Sequence, residues 1–103
     1  MSTAPGSTLP QANGLSPDAR PRLPRGVRLH HDRQRDEWVL LAPETLFGLN
    51  TSALEVLRRC DGSRTLTELL AELAALFGTE PAKLAPDVTG LLVRLRDQRL
   101  LEL

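Results

Sequence analysis

The chain is poor in the residues that most often announce a chemistry. Its 103 residues include one cysteine, one tryptophan, two phenylalanines and no tyrosine. The single Cys60 excludes an internal disulfide and fits a reducing compartment. No apolar run of signal length follows Met1, and no stretch is long enough to span a bilayer, so the cytoplasm is the expected location. An excess of one charge is missing too. Thirteen basic residues balance thirteen acidic ones, which argues against a dedicated nucleic-acid or membrane-surface binder. A glycine-rich phosphate loop is absent, since Gly62 and Gly78 read as single helix stops. His30 and His31 are neighbours on a predicted strand, so they point to opposite faces and cannot chelate one ion together. Cys60 has no sequence neighbour that would activate it and reads as a small buried residue. No metal, cofactor or catalytic constellation is expected, and the chain reads as a non-enzyme.

What is present is a tail, a meander and three helices. Residues 1–24 hold five of the eight prolines and few apolar side chains, and are expected to form a disordered tail or linker. The folded domain is then 25–103. The alternation of Val27, Leu29 and His31 with Arg28, His30 and Asp32 predicts a half-buried strand. Trp38 to Ala42 predicts a second strand, and Leu46 to Leu49 a third after the Pro43-Glu44 turn. On the third strand Phe47 and Leu49 share one face and Leu46 takes the other.

Helical signals begin at Asn50, where Asn50, Thr51 and Ser52 are all competent N-caps and Ser52 to Glu55 fits a capping box. Cys60-Asp61-Gly62 is expected to close that helix. Thr65 to Glu68 is a second capping box, followed by a stripe of Leu66, Leu69, Leu70, Leu73 and Phe77 that Gly78 terminates. A third helix is predicted to start near Pro86, with Asp87 in its first turn and Val88, Leu91, Leu92 and Leu95 buried. Leu100 to Leu103 should pack back on the core. The predicted class is α+β: a three-stranded antiparallel sheet followed by three helices, the outline of a winged helix-turn-helix.

Within that outline an ordered set of short motifs narrows the family. Pro24, Arg28, Leu40-Leu41-Ala42-Pro43-Glu44, Leu49-Asn50, Ala53, Cys60-Asp61-Gly62 and Asp87-Val88-x-x-Leu91-Leu92-x-x-Leu95 occur in succession. In these residues the chain resembles the PqqD family of pyrroloquinoline quinone biosynthesis proteins, over residues 22–103. Two positions depart from the family pattern. Thr45 stands where the family usually writes the glycine of Pro-Glu-Gly, and Arg99-Leu100 stands where it usually has Gly-Leu. The resemblance implies a non-catalytic peptide chaperone. Such a protein binds the ribosomal precursor peptide PqqA and presents it to PqqE, a radical S-adenosylmethionine enzyme. Some members are fused to PqqC, and a proline-rich start would suit a linker from such a fusion. The resemblance also implies where a peptide adds: as a strand on the third strand, beside the third helix.

That placement has a physical rationale, because an edge strand offers unpaired N–H and C=O groups to any peptide backbone. The expected edge is Thr45, Leu46, Phe47, Gly48 and Leu49, with Leu46 or Phe47 contributing to an apolar floor. The expected facing wall is the third helix, through Gly90, Leu91, Val93, Arg94 and Asp97. Gly90 costs about 1 kcal/mol against alanine inside a helix, either to admit a close backbone or to ease packing. Six arginines at 20, 22, 25, 28, 33 and 35 read as a solvated tail and hairpin, or as a basic arm that meets an acidic partner. Two rival functions stay open. One is a DNA-binding winged helix using Arg94, Arg96 and Arg99, for which Asp87, Asp97 and the zero net charge make a poor footprint. The other is an adaptor domain that docks on an enzyme without touching peptide.

Overall fold

The computed structural model describes residues 15–103. Strands β1 (Arg28–Asp32), β2 (Glu37–Ala42) and β3 (Thr45–Leu49) precede helices α1 (Thr51–Arg58), α2 (Leu66–Phe77) and α3 (Pro81–Asp97). The sheet is antiparallel in chain order, β1-β2-β3, so the α+β class and the meander agree with the sequence reading. Register follows the apolar pattern. Leu40 pairs with Leu29 on one side and Phe47 on the other, and all three share the face that packs on the helices. Leu46 pairs with Leu41 on the opposite face, as its alternation predicts. Thr45 fits its turn without difficulty, because none of Pro43, Glu44 and Thr45 has a positive φ that would call for glycine.

The core is built from leucines. Leu40, Leu57, Leu69, Leu73, Leu92 and Leu95 are all less than 2% exposed, so sheet and all three helices contribute to one cluster. Helix α1 starts on Asn50, whose Oδ1 accepts from the Ala53 N–H at 2.8 Å. The Ser52 box is not the one used, since Asn50 already fills the N-cap position and the chain is helical from Thr51. The helix also stops earlier than expected, with Arg59 as C-cap. Gly62 has φ 84° but serves the following loop, where Pro21 O accepts its N–H at 3.0 Å.

Helix α2 starts on the predicted Thr65–Glu68 box, with Thr65 Oγ1 accepting from Glu68 N–H at 3.1 Å and Glu68 Oε1 from Thr65 N–H at 2.8 Å. The Thr65 N–H holds the Glu68 carboxyl below its ordinary pKa. Gly78 ends the helix in the left-handed region at φ 68°. Helix α3 departs most from expectation. It begins five residues before Pro86, on Pro81 at its first position, and carries Pro86 inside it. Proline suits either position as a starting signal, and Pro81 is the one that has an extended residue, Glu80, before it. Asp87 therefore lies beyond the first turn, where the helix dipole no longer concerns it.

The close of α3 explains the Arg99 departure. Arg99 N–H donates to Arg96 O at 2.9 Å and Leu100 N–H to Leu95 O at 2.9 Å, with Arg99 at φ 63°. This is the paired hydrogen-bond pattern that ends a helix through one left-handed residue, the place where glycine is at ease. Leu100 and Leu101 are then buried, as expected of the chain's end.

The expected tail is corrected by the structure over 15–24, while 1–14 lie outside the described residues. Leu15 is only 3% exposed and belongs to the core cluster. Composition understates this segment because its carbonyls hold it down. Ala19 O and Pro17 O accept from Leu66 N–H (2.8 Å) and Thr67 N–H (3.2 Å), two donors that a helix start leaves unpaired. Arg22 pairs with Glu102 through both backbones (2.9 and 2.8 Å) and through a side-chain ion pair at 2.8 Å. The segment is a strap joining the start of α2 to the end of the chain.

Cys60 sits beneath that strap, 3% exposed, donating its thiol to Val56 O at 3.3 Å. Burial, with the Asp61 charge adding, pushes its pKa up to about 12. It stays a thiol at neutral pH and is no nucleophile. Native protein should therefore resist iodoacetamide and react at once in denaturant; rapid native alkylation would contradict the burial. Leu15→Ala should lower unfolding free energy in urea by about 2 to 3 kcal/mol, where a free tail would give no change. Arg99→Gly should raise it by roughly 0.5 to 1 kcal/mol, because the left-handed position then carries no side-chain strain.

Candidate functional site

Strand β3 lies at an edge of the sheet: β2 occupies one side, and among the described residues no strand pairs with the other. Its residues divide by face. Phe47 and Leu49 are half-buried against the core, while Leu46 is 58% exposed on the far face. Gly48 leaves a gap beside it, since a Cβ there would meet no atom within 4 Å. The other outer strand, β1, is dressed with Arg28 and His30, and its turn is closed by Asp32 Oδ1 accepting from Gln34 N–H at 3.0 Å. Arg28, His30, Arg33 and Arg35 are all exposed there.

Beyond Leu49 the chain turns at Asn50 straight into α1, and this sets a groove at the end of the strand. The groove holds about 420 Å³ between α1 and α3. Asn50, Ser52, Ala53 and Val56 line one wall, and Leu84, Asp87, Val88, Leu91 and Arg94 the other, with Phe77 at the end of α2. Its bed is apolar and its rim polar, the common make-up of a recognition cleft. Phe77, expected in the buried stripe, is 40% exposed because it reaches this groove at the last residue of its helix.

The predicted wall residues separate accordingly. Leu91 and Arg94 line the groove. Gly90 lies on the same helical stripe as Asp87 and Arg94, three residues after the one and four before the other. A Cβ at Gly90 would meet nothing within 4 Å, so the glycine does not serve packing within this chain. Val93 is half-buried and packs on the core instead. Asp97 is held by Arg96, whose Nη2 lies 3.2 Å from its Oδ1. The groove's first wall and Phe77 were missed by the sequence reading. The one available signal was the immediate succession of strand, single cap residue and helix, which forces α1 alongside the end of β3.

Elsewhere the polar groups serve structure. Arg59 bridges Glu55 (2.9 Å) and Glu72 (3.4 Å), and Arg64 Nε meets Glu72 at 2.6 Å, tying α1 to α2. His31 and His30 do lie on opposite faces. The former is 3.1 Å from Asp36 and stacks 5.1 Å from Trp38, over which Arg58 also sits at 5.4 Å. Among the described residues no three His, Cys, Asp or Glu side chains converge as a metal site, and no helix is long and apolar enough to cross a membrane. The exposed charges of α3 alternate in sign through Asp87, Arg94 and Asp97, which is not the footprint of a helix that reads DNA.

Residues 37–101 match the family model described as coenzyme PQQ synthesis protein D (PqqD). The PqqA binding protein of Xanthomonas axonopodis pv. citri is 47% identical over 91 residues, covering 88% of this chain and 99% of that protein. The PqqA binding protein of Xanthomonas oryzae pv. oryzae is 46% identical over the same shares. Among solved structures, the solution structure of the PqqD truncation of Methylobacterium extorquens PqqCD superposes with TM-score 0.76 at 38% identity. It covers 90% of this chain and 99% of that one, and is a functional stand-alone recognition element for ribosomally synthesised, modified peptides. The crystal structure of PqqD from Xanthomonas campestris has TM-score 0.55 at 45% identity, covering 86% and 99%. With a matching family model, matching fold and relatives aligned over nearly their whole length, the chain belongs to the PqqD family.

Proposed function

We propose that this chain is the peptide-binding chaperone of pyrroloquinoline quinone biosynthesis. It takes up the precursor peptide PqqA and presents it to the radical S-adenosylmethionine enzyme PqqE, in the cytoplasm and without chemistry of its own. The observation that carries the reading is the unpaired edge of β3 together with the apolar groove between α1 and α3, whose lining begins at Asn50, the residue after the strand. Relatives that bind PqqA by name, at 46–47% identity over 88% of the chain, support the choice of peptide. The PqqCD origin of one structural relative supports PqqC as a neighbour or fusion partner.

In this reading an extended segment of PqqA hydrogen-bonds to Thr45–Leu49 as a fourth strand. Backbone pairing supplies affinity that is indifferent to most side chains. Side chains on one face of the added strand lie beside Leu46, and those on the other beside Phe47 and Leu49, toward Leu91 and the helices. Gly90 leaves its stretch of α3 without a side chain, so a backbone can approach closely. Val93 and Asp97 lie outside the groove, one in the core and one in an ion pair, and act at most on its margins. The inert Cys60 thiol fits a binding role.

Two variants test this with opposed effects on fold and function. Gly90→Leu should stabilise the protein by up to about 1 kcal/mol, since a helix former replaces glycine in open space. It should nonetheless weaken PqqA binding in calorimetry at least several-fold. Leu46→Glu should leave unfolding nearly unchanged, because the side chain is exposed, and also weaken binding. Undiminished PqqA affinity in both variants would remove the assignment of the β3 edge and the α3 wall.

A further inference from the structure

Resting on that reading, the groove also carries information about which part of a peptide it takes. Asp87, Gly90 and Arg94 fall on one stripe of α3, spaced three and four residues apart. The two charged residues line the groove, and neither has an ion-pair partner among the described residues. Charges outside the groove's lining are engaged with one another: Asp97 by Arg96, Glu55 by Arg58 and Arg59, Glu72 by Arg59 and Arg64. The groove is thus left with one acid and one base, of opposite sign, at separate points along its wall. Leu84, Val88 and Leu91 line the same groove, and Gly90, on the stripe between the two charges, carries no side chain there.

Length fixes what can bridge the two. Seven helical residues at 1.5 Å each place Asp87 and Arg94 about 10.5 Å apart along α3. A peptide extended along β3 advances about 3.3 Å per residue and repeats its facing every second residue. Side chains two apart on one face span only about 7 Å, and side chains four apart span about 13 Å. For a peptide running alongside α3 the second distance is the nearer, and the long Arg94 side chain leaning outward makes up the difference. The residue midway between them, on the same face, then drops onto the bed beside Leu91.

We propose that the groove selects an extended peptide segment with an acidic and a basic residue four apart and an apolar residue midway between them. The acid pairs with Arg94 and the base with Asp87, so the pair of charges fixes the direction in which the peptide lies. A peptide threaded the other way would set like charges against each other, which is a penalty as well as a lost attraction.

The test is a charge-exchange series by calorimetry with the full chain and PqqA at about 50 mM salt, where such pairs are little screened. Arg94→Glu and Asp87→Lys should each weaken binding roughly 5- to 20-fold, with circular dichroism unchanged because both side chains are exposed. Each acid of PqqA is then reversed in turn against Arg94→Glu, and each base against Asp87→Lys. One acid should restore affinity to the first variant and one base, four residues away, to the second. The double variant Asp87→Lys/Arg94→Glu, whose net charge equals that of the native chain, should bind best to the peptide carrying both reversals. Native-like affinity in both single variants, or rescue by positions not four apart, would overturn the inference while leaving peptide binding itself intact. Failure of the native chain to bind PqqA at all would overturn the inference together with the function it rests on.

Discussion

A three-stranded sheet paired in chain order has one strand with both edges satisfied, and here that strand is β2. Leu40 at its centre is fully buried, so the register of β1 and β3 on either side is pinned by the need to keep that face dry. The same order leaves β3 with a free edge, and the chain offers no fourth strand among the described residues to cover it. A single residue, Asn50, then both ends the strand and caps α1. That economy brings the first helix against the end of the open edge, and with α3 opposite it makes the groove. The geometry of edge and groove follows from the way the fold satisfies its core.

The strap over 15–24 has a related role. A small domain with a leucine core gains from any segment that completes it, and this one does so mainly with backbone groups. It pairs the first donors of α2, bridges Arg22 to Glu102 and covers Cys60. These contacts, together with the ion pairs of Arg59 and Arg64, hold the helices through residues that do not line the groove. The rim of the groove is therefore free to be shaped by exposed side chains such as Asp87 and Arg94, while Val56 and Val88 in its bed belong to the core.

Much of this was legible in the sequence, for reasons that can be named. Period-two alternation set the facing of Phe47 and Leu46, and the Thr65–Glu68 box marked the start of α2 to the residue. The errors are as informative. The start of α3 was placed at Pro86 because proline marks a first turn, and two prolines competed for that role; only the extended backbone before Pro81 decides between them. Composition makes residues 15–24 look like a free tail because it cannot register carbonyls that accept from a distant helix start. Phe77 looked like core because a helical stripe says which face is apolar and not where the neighbouring layer ends. The α1 wall of the groove follows from the passage of β3 through a single cap residue into α1, a signal that marks where the helix starts and leaves unstated which of its residues face α3. Asp87 changed its meaning most: once clear of the first turn, it passes from a dipole partner to a free charge in the groove.

The most direct measurement is amide hydrogen exchange and chemical-shift mapping of the isotope-labelled chain, free and saturated with PqqA. The two open edges of the sheet provide an internal control. If the peptide adds to β3, amides of Thr45–Leu49 should gain protection, and the largest shifts should run on through Asn50 to the Leu91–Arg94 stretch of α3. The β1 amides, Arg28–Asp32, should exchange as before. Protection gained at β1 with β3 unchanged, or shifts confined to the strap and the α1–α2 loop, would contradict the account.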